Sequence, residues 1–431
     1  MSSSSKKSVI TCDLEGRIET FNAAAAEIFG YTQEDIIGKK RVSLFSPGEV
    51  VLEHVPTWLK IAREQGEFRG ETVFVRRDGT PFAARIRITP TYKHGQQIGY
   101  CGVTEVLEEI DPAQAMPRIS PATRLFRWLV ITRAPFLTAM IVPVLIGAAW
   151  VAVQGGPFAW GRFVLALLAG MLLHVAANTF NDYFDWTSGT DPINNNYFLP
   201  YSGGSRSIEL GLISEGALRR LAFAALGGSA LIGLVLTALS GPGILLFGLI
   251  GALSAYFYTA PPLRLAARRG LGELLVGLNF GPLATAGTVY ALTGQAAAVD
   301  FLIGVPIGLL VIAILWINQF PDEESDRAAG KHNLVVVLGK ERARWGYLLL
   351  LAGAFILTLY WTISGVFPVG AALILGGLPL AVRAVRIALR HYADRSLVQA
   401  NAATIRLHLV AGVLMTIGLL ASNVLRQFFG G

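Results

Sequence analysis

Apolar and polar positions follow two different rhythms along this chain, and the rhythm changes near residue 110. Between Ser8 and Glu109, short β-rich runs (SVITCD, RIETFN, ETVFVRR, FAARIRITPTY, IGYCGVTEV) alternate with helix-like stretches (AAAAEIFG, VLEHVPTWLKIAREQ). Turn signals such as Asp78-Gly79 punctuate them, so residues 1–109 are expected to form a small α+β domain. Residues 110–128 hold Pro112, Pro117 and Pro121 and end in a basic patch, which predicts a linker reaching a membrane surface. From residue 129 to 431 about nine long apolar runs follow, near 134–153, 163–180, 221–239, 244–258, 274–292, 301–317, 345–366, 369–385 and 407–424. Several approach the roughly 20 residues that cross a bilayer, which predicts a multi-pass all-α transmembrane bundle of about nine helices.

Composition supports that division. Over 431 residues the chain is 53% hydrophobic and only 15% charged, which disfavours a string of soluble domains and makes the lipid bilayer a partner. The net charge of +7 is scattered over short segments between apolar runs, so no nucleic-acid partner is expected. Cys12 and Cys101 read as free thiols in a reducing cytosol. The opening MSSSSKKS has no apolar core, so no cleavable leader is expected.

The basic residues also predict an orientation. Arg206, Arg219 and Arg220, then Arg264, Arg268 and Arg269, then Arg327, Lys331, Lys340, Arg342 and Arg344, then Arg390 and Arg395 follow the even-numbered runs, while the alternate connections offer only Arg162. By the positive-inside rule the basic set faces the cytoplasm, with the N-terminal domain cytosolic and the chain in the cytoplasmic membrane.

Two carboxylate-rich motifs lie on that same side. NTFNDYFDWTSGTD (178–191) puts Asn178, Asp182 and Asp185 on one helical face, with Asn181 beside them and Asp191 in the following loop. NQFPDEESDRAAGK (318–331) repeats Asn318, Asp322 and Asp326 every four residues. Acidic residues at helix ends are often no more than solvated caps, but two matched Asn-x-x-x-Asp openings on one side make an intramembrane site the stronger reading. Clustered hard oxygen ligands suit Mg²⁺ bridging to a diphosphate ester. Lys331, Arg206 and Arg327, with the Gly-rich YSGGSRS loop (201–207), are placed to hold phosphate oxygens. Aromatic faces attract cations, so Tyr183, Tyr256, Tyr258 and Trp316 are candidates to face a cationic group, against the blander roles of interface anchor or core. Glu273, Asn279 and His174 are candidates to contact a bound substrate, against plain interhelical bonding.

These motifs resemble the UbiA superfamily of intramembrane aromatic prenyltransferases, which has an Asn-Asp-x-x-Asp motif with a further aspartate after its second helix and an Asp-x-x-x-Asp motif after its sixth. Here they stand as Asn181, Asp182, Asp185 with Asp191, and as Asp322 with Asp326. The chain departs from the general pattern at Gly189, where a third aspartate is expected; the acid two residues later resembles the branch acting on 1,4-dihydroxy-2-naphthoate in menaquinone biosynthesis. TRAPFLTAMIVPVLIG (132–147), GGSRSIELGLIS (203–214) and YTAPPLRLAARRGLGE (258–273) add to the likeness. It implies transfer of a polyprenyl group from its diphosphate to an aromatic acceptor. It further implies Mg²⁺ on Asp182, Asp185, Asp322 and Asp326, with Lys331 steadying the departing diphosphate. Asn178, Asn181, Asp191, Arg206, Tyr258, Asn318 and Arg133 would contact substrate, Arg133 meeting a naphthoate carboxylate. Another acceptor such as homogentisate is the nearest alternative, and a non-catalytic membrane sensor the more distant one.

The N-terminal segment resembles a PAS domain through Gly16-Arg17, Asn22 to Tyr31, Gly38-Lys39, Arg76 to Phe82 and Gly102 to Glu105. That likeness implies a five-stranded sheet with helices on one side, used for ligand sensing or for homodimerisation. The cysteine motif of flavin-adduct light sensors is missing. His54 reads as a packing or surface residue and not as a haem ligand.

Overall fold

The computed structural model describes residues 6–155, 158–194, 196–198 and 201–429. Packing divides the chain into two compact units, residues 1–131 with 206–215, and residues 132–205 with 216–431. The first five residues, on which the expected absence of a leader rests, lie outside the described residues.

In the first unit the period-two runs become five strands: β1 (Lys7–Asp13), β2 (Ile18–Phe21), β3 (Phe68–Val75), β4 (Pro81–Lys93) and β5 (Gln96–Val106). They form one sheet in the order β2-β1-β5-β4-β3, with every neighbouring pair antiparallel. Alternation in β1 turns Ser8, Ile10 and Cys12 inward. Helix α1 (Ala23–Phe29) starts where the Asn22 side chain accepts the Ala25 N–H and stops at Gly30, whose φ of +78° an L side chain resists. Its Phe29 ring lies 4.2 Å from that of Phe45, in a core shared with Phe21, Phe74 and Phe82. At Gly99 a Cβ would stand 1.9 Å from the Cys12 carbonyl oxygen, so β1 and β5 approach as closely as they do only because no side chain is there.

Cys12 and Cys101 are unbridged, and burial pushes the Cys12 thiol up to about 12. His54 Nε2 lies 3.1 Å from the Arg118 carbonyl, the packing role expected of it. The segment expected to be a linker is helical over much of its length. Ser120 Oγ accepts the Thr123 N–H and Pro121 opens α3 (Pro121–Ile131), where proline's missing N–H costs nothing. Arg127 then ties α3 to Glu49 of helix α2 (Glu49–Gln65) at 2.6 Å.

The second unit is the helical bundle. Its apolar helices are α4 (Thr138–Val153), α5 (Trp160–Thr187), α6 (Glu215–Ser240), α7 (Gly243–Phe257), α8 (Leu271–Thr293), α9 (Val305–Ala328), α10 (Lys340–Ile363), α11 (Leu378–His391) and α12 (Val398–Phe429). Among the described residues eight spans are long and apolar enough to cross a membrane, and α7 is a shorter apolar helix. The protein is a multi-pass membrane protein. Within α8 a π turn at Asn279–Leu283 surrounds Pro282, whose ring cannot continue the hydrogen-bond ladder. There a Cβ on Gly281 would lie 2.6 Å from the Gly304 carbonyl oxygen, so small residues set how closely the elements pack, as is usual in membrane bundles.

One buried acid has a purely architectural place. Asp300 is 3% exposed, and its Oδ1 accepts Trp150 Nε1 at 2.7 Å and Gln154 Nε2 at 2.8 Å, while Oδ2 accepts the Ala297 N–H at 2.7 Å. Removing it strands three donors, each costing about 1–3 kcal/mol when buried unpaired. Asp300→Ala is therefore expected to lower the thermal midpoint of the detergent-solubilised protein by several degrees, and an unchanged melting curve would contradict that placement.

Candidate functional site

The C-terminal ends of α5 and α9 carry the two acidic motifs, and the folded bundle brings these motifs to one cavity. The cavity measures about 250 Å³. Asn178, Asn181, Asp185 and Asp191 of the first motif line it, as do Asn318, Asp322, Asp326 and Lys331 of the second, together with Arg133 and Tyr258. Asp182 lies just behind this lining, 4% exposed, with its Oδ1 3.8 Å from Arg133 Nη1. Of the twelve residues to which the resemblance gives a metal, catalytic or substrate role, eleven thus meet in one place. The twelfth, Arg206, packs in the other unit, where its guanidinium meets Glu209 at 2.9 Å. Lys40 also reaches Glu209, at 3.7 Å.

The spacing of the motifs explains the convergence. Four-residue steps place Asp322 and Asp326 on one stripe of α9, and three- and four-residue steps do the same for Asn178, Asp182 and Asp185 on α5. Lys331 Nζ bridges the stripes, 2.7 Å from Asp185 Oδ1 and 3.8 Å from Asp326 Oδ1. Burial pushes the Lys331 ammonium down, but the carboxylates of Asp185 and Asp326 outweigh it and hold the group above its ordinary range, so it stays protonated. The Tyr258 side chain lines the same cavity.

A second bridge is made by backbone. The Gly203 N–H donates to Asp322 Oδ2 at 3.1 Å and the Ser205 N–H donates to Asp182 Oδ2 at 3.2 Å, so one short loop holds a carboxylate of each motif. Gly203 and Gly204 both have left-handed φ, +75° and +73°, which turns these N–H groups toward the acids at little steric cost. The sequence suggests this loop as a cradle for phosphate oxygens; in the structure two of its N–H groups are spent instead on the carboxylates.

Several partners are not legible in the sequence. Asn194 Nδ2 donates to Asp322 Oδ1 at 2.8 Å, Asn333 Nδ2 to Asp326 Oδ2 at 2.7 Å, and Asn401 Nδ2 to Asn318 Oδ1 at 2.7 Å. An asparagine in a loop or on a distant helix gives no periodic signal that it will meet a carboxylate. Other candidates lie elsewhere. Trp316 donates Nε1 to the Ala343 carbonyl at 2.9 Å and packs in the core, and Tyr256 packs edge-on against Phe180, 5.2 Å between ring centroids. Tyr183 packs edge-on against Phe184. Glu273 accepts the Leu334 N–H at 2.8 Å, a structural tie between segments, whereas Asn279 and His174 do line the cavity.

The donor set can be tested against a divalent cation. Among the described residues no group of three or more His, Cys, Asp or Glu side chains is gathered to ligate one ion. A pair of acids does open on a common space: a Cβ on Gly204 would lie 2.9 Å from Asp182 Oδ1 and 3.2 Å from Asp191 Oδ2. Asp182 Oδ1 is buried and accepts no hydrogen bond. Hard oxygen donors from one or two carboxylates, with the remaining positions left to water and phosphate, are what Mg²⁺ takes. The residues fit that ion.

Comparison with known proteins agrees with this geometry. The UbiA prenyltransferase family profile matches residues 140–422, and the PAS fold profile matches residues 1–106. The 1,4-dihydroxy-2-naphthoate octaprenyltransferase of Bacillus subtilis (strain 168) is 29% identical over 297 residues, which cover 68% of this chain and 91% of that protein. The 2-carboxy-1,4-naphthoquinone phytyltransferase of a Synechocystis strain is 29% identical over 306 residues, 70% of this chain and 95% of that protein. Among solved structures, the apo form of a UbiA homologue from Aeropyrum pernix K1 superposes with a TM-score of 0.51 at 18% identity, covering 65% of this chain and 97% of its own, a likeness of fold. With more than half its length under one family profile, this chain belongs to the UbiA prenyltransferase family, and it carries an N-terminal PAS domain.

Proposed function

We propose that this prenyltransferase joins a polyprenyl group, delivered as the allylic diphosphate, to 1,4-dihydroxy-2-naphthoate. The observation that carries the reading is the meeting of two acidic motifs, a lysine and an arginine at one cavity whose walls are otherwise largely apolar. Such a cavity suits a substrate with a highly charged head and a hydrocarbon tail. The naphthoate assignment rests on the relatives named above and on Asp191 standing two residues beyond Gly189.

Within this reading Asp182 and Asp185 of one motif and Asp322 and Asp326 of the other are the metal-binding acids, each motif offering the one or two carboxylates that a Mg²⁺ ion takes, with Asp191 beside Asp182. A Mg²⁺ ion held there would neutralise charge building on the departing diphosphate. Lys331 and Arg133 supply fixed positive charge to the same oxygens. Electrostatic stabilisation by preorganised charge commonly contributes more to catalysis than any other single effect. Asn181, whose Nδ2 donates to Asp185 Oδ2 at 3.2 Å, orients that acid, Asn178 and Asn318 line the substrate space, and Tyr258 offers a neutral hydroxyl and a π face to the cationic carbon. Arg133 has a left-handed φ of +51°, a conformation non-glycine residues rarely hold without a local reason, and its side chain points at Asp182. The walls exclude water from the carbocation, and the ring carbon of the acceptor attacks it. Where that carbon bears the carboxylate, carbon dioxide leaves.

The positive-inside distribution supports a cytoplasmic membrane location with the acidic site and the N-terminal domain on the cytosolic side. Reporter fusions test it: alkaline phosphatase joined after residue 109 is expected to be inactive, and joined after residue 424 active, in a bacterial host; the reverse pattern would invert the topology.

The activity is tested with purified protein and a labelled polyprenyl diphosphate, offered 1,4-dihydroxy-2-naphthoate, homogentisate or 4-hydroxybenzoate, each with Mg²⁺ or EDTA. Mg²⁺-dependent product from the naphthoate alone is the expected result, and product from another acceptor would move the enzyme to another pathway. Asp182→Asn and Asp322→Asn are expected to lower turnover at least ~100-fold, on the scale of removing a major electrostatic element. Gly204→Ala, which puts a methyl group between Asp182 and Asp191, is expected to raise the Mg²⁺ concentration needed for half-maximal rate. Wild-type turnover in either aspartate variant would remove the metal-binding proposal.

A further inference from the structure

Below the carboxylates the cavity becomes apolar, walled by Met140, Leu173, Ala177, Phe280, Val311 and Ile314. One polar ring sits among them. His174 lies on α5 eight residues before Asp182, about 12 Å deeper along the axis at the usual helical rise. It lines the cavity, is 6% exposed, and packs edge-on against Phe280 with 5.1 Å between ring centroids. Neither Nδ1 nor Nε2 has a hydrogen-bond partner. The neighbouring amide gives no help, since Asn178 Nδ2 donates to the His174 backbone carbonyl at 3.2 Å.

A buried imidazole with both nitrogens unpaired is destabilising by about 1–3 kcal/mol for each unsatisfied group, so a bound molecule is the natural source of the missing partner. Of the groups the proposed reaction brings in, the diphosphate belongs with the acids, of which Asp182 stands about 12 Å along the axis of α5, and the polyprenyl chain has no polar atom. What remains is the aromatic acceptor, whose hydroxyl donates and whose ring suits the Phe280 edge. We infer that His174 accepts a hydrogen bond from a ring hydroxyl of the aromatic co-substrate, and so fixes which ring carbon faces the allylic centre. This rests on the proposed prenyl transfer to a hydroxyarene. The contact also strengthens electron donation from that oxygen into the ring, which favours attack on a cation. His408 is equally buried and equally without partners, but it does not line the cavity, and it serves as the control.

The test measures binding and turnover in the full-length, detergent-solubilised enzyme. Binding of 1-hydroxy-2-naphthoate and of 2-naphthoate, which lacks the hydroxyl, is followed by calorimetry in the wild type and in His174→Leu, His174→Gln and His408→Leu. The expected result is a ~10-fold weaker affinity of His174→Leu for the hydroxynaphthoate, matching one lost hydrogen bond, with 2-naphthoate binding unchanged. His174→Gln, whose amide oxygen can accept, is expected to recover most of the loss, and His408→Leu to bind both ligands as the wild type does. In turnover, kcat/KM for the acceptor falls in His174→Leu while KM for the polyprenyl diphosphate stays within ~2-fold. Equal losses for the two naphthoates, or no loss for either, would overturn the hydroxyl contact while leaving the prenyl-transfer reading intact. Failure of the wild type to bind or prenylate any hydroxyarene would overturn that reading and this inference together.

Discussion

Electrostatic repulsion is the constraint around which the bundle is organised. Asp182, Asp185, Asp191, Asp322 and Asp326 converge at the edge of an apolar cavity, where two like charges about 4 Å apart repel by roughly 4 kcal/mol at an effective dielectric near 20. Such a cluster holds together only if each carboxylate is answered. Lys331 answers Asp185 and Asp326, Arg133 answers Asp182, and backbone N–H groups or asparagine amides satisfy Asp182, Asp322 and Asp326. These donors come from the segment before α4, from the loop after α5 and from the turn after α9. The connections are therefore as much a part of the site as the helices.

The helices contribute rigidity. Close approach through glycine, as at Gly281 with Gly304, keeps backbones near enough for dispersion contacts to accumulate where lipid supplies no hydrophobic force between helices. A Cβ on Gly370 would sit 1.9 Å from the Gly418 carbonyl oxygen, so the segment before α11 and helix α12 meet on the same principle. Fixed helix ends then hold the acidic stripes in register. The Asp300 network with Trp150 and Gln154 does comparable work at another end of the bundle, using a buried carboxylate for architecture alone.

How much of this is legible in the sequence depends on whether a residue's role follows from local spacing. The acidic stripes are readable because four-residue steps on a helix leave no choice of face, and the β-sheet of the N-terminal unit is readable because alternation with period two does the same. Asn194, Asn333 and Asn401 are not, since each meets its partner through a loop path or a helix contact that carries no periodic mark. Trp316 and Tyr256 fail as cavity residues for a related reason: an aromatic near a helix end looks the same whether it faces a substrate path or a neighbouring helix. The prolines of residues 110–128 suggest a linker, yet Pro121 stands at the first turn of α3, the one place where proline begins a helix.

The short loop 203–205 couples what the helices keep apart. Gly203 and Ser205 are two residues apart, and they bind Asp322 of α9 and Asp182 of α5 respectively. A displacement of either helix end must therefore strain or break the N–H bond to the other, because two residues leave little slack. The left-handed glycines give this stretch its one favourable geometry, and a Cβ at Gly204 would meet Asp182 Oδ1 at 2.9 Å. The chain then passes directly into Arg206, whose ion pair with Glu209 belongs to the unit that contains the PAS domain.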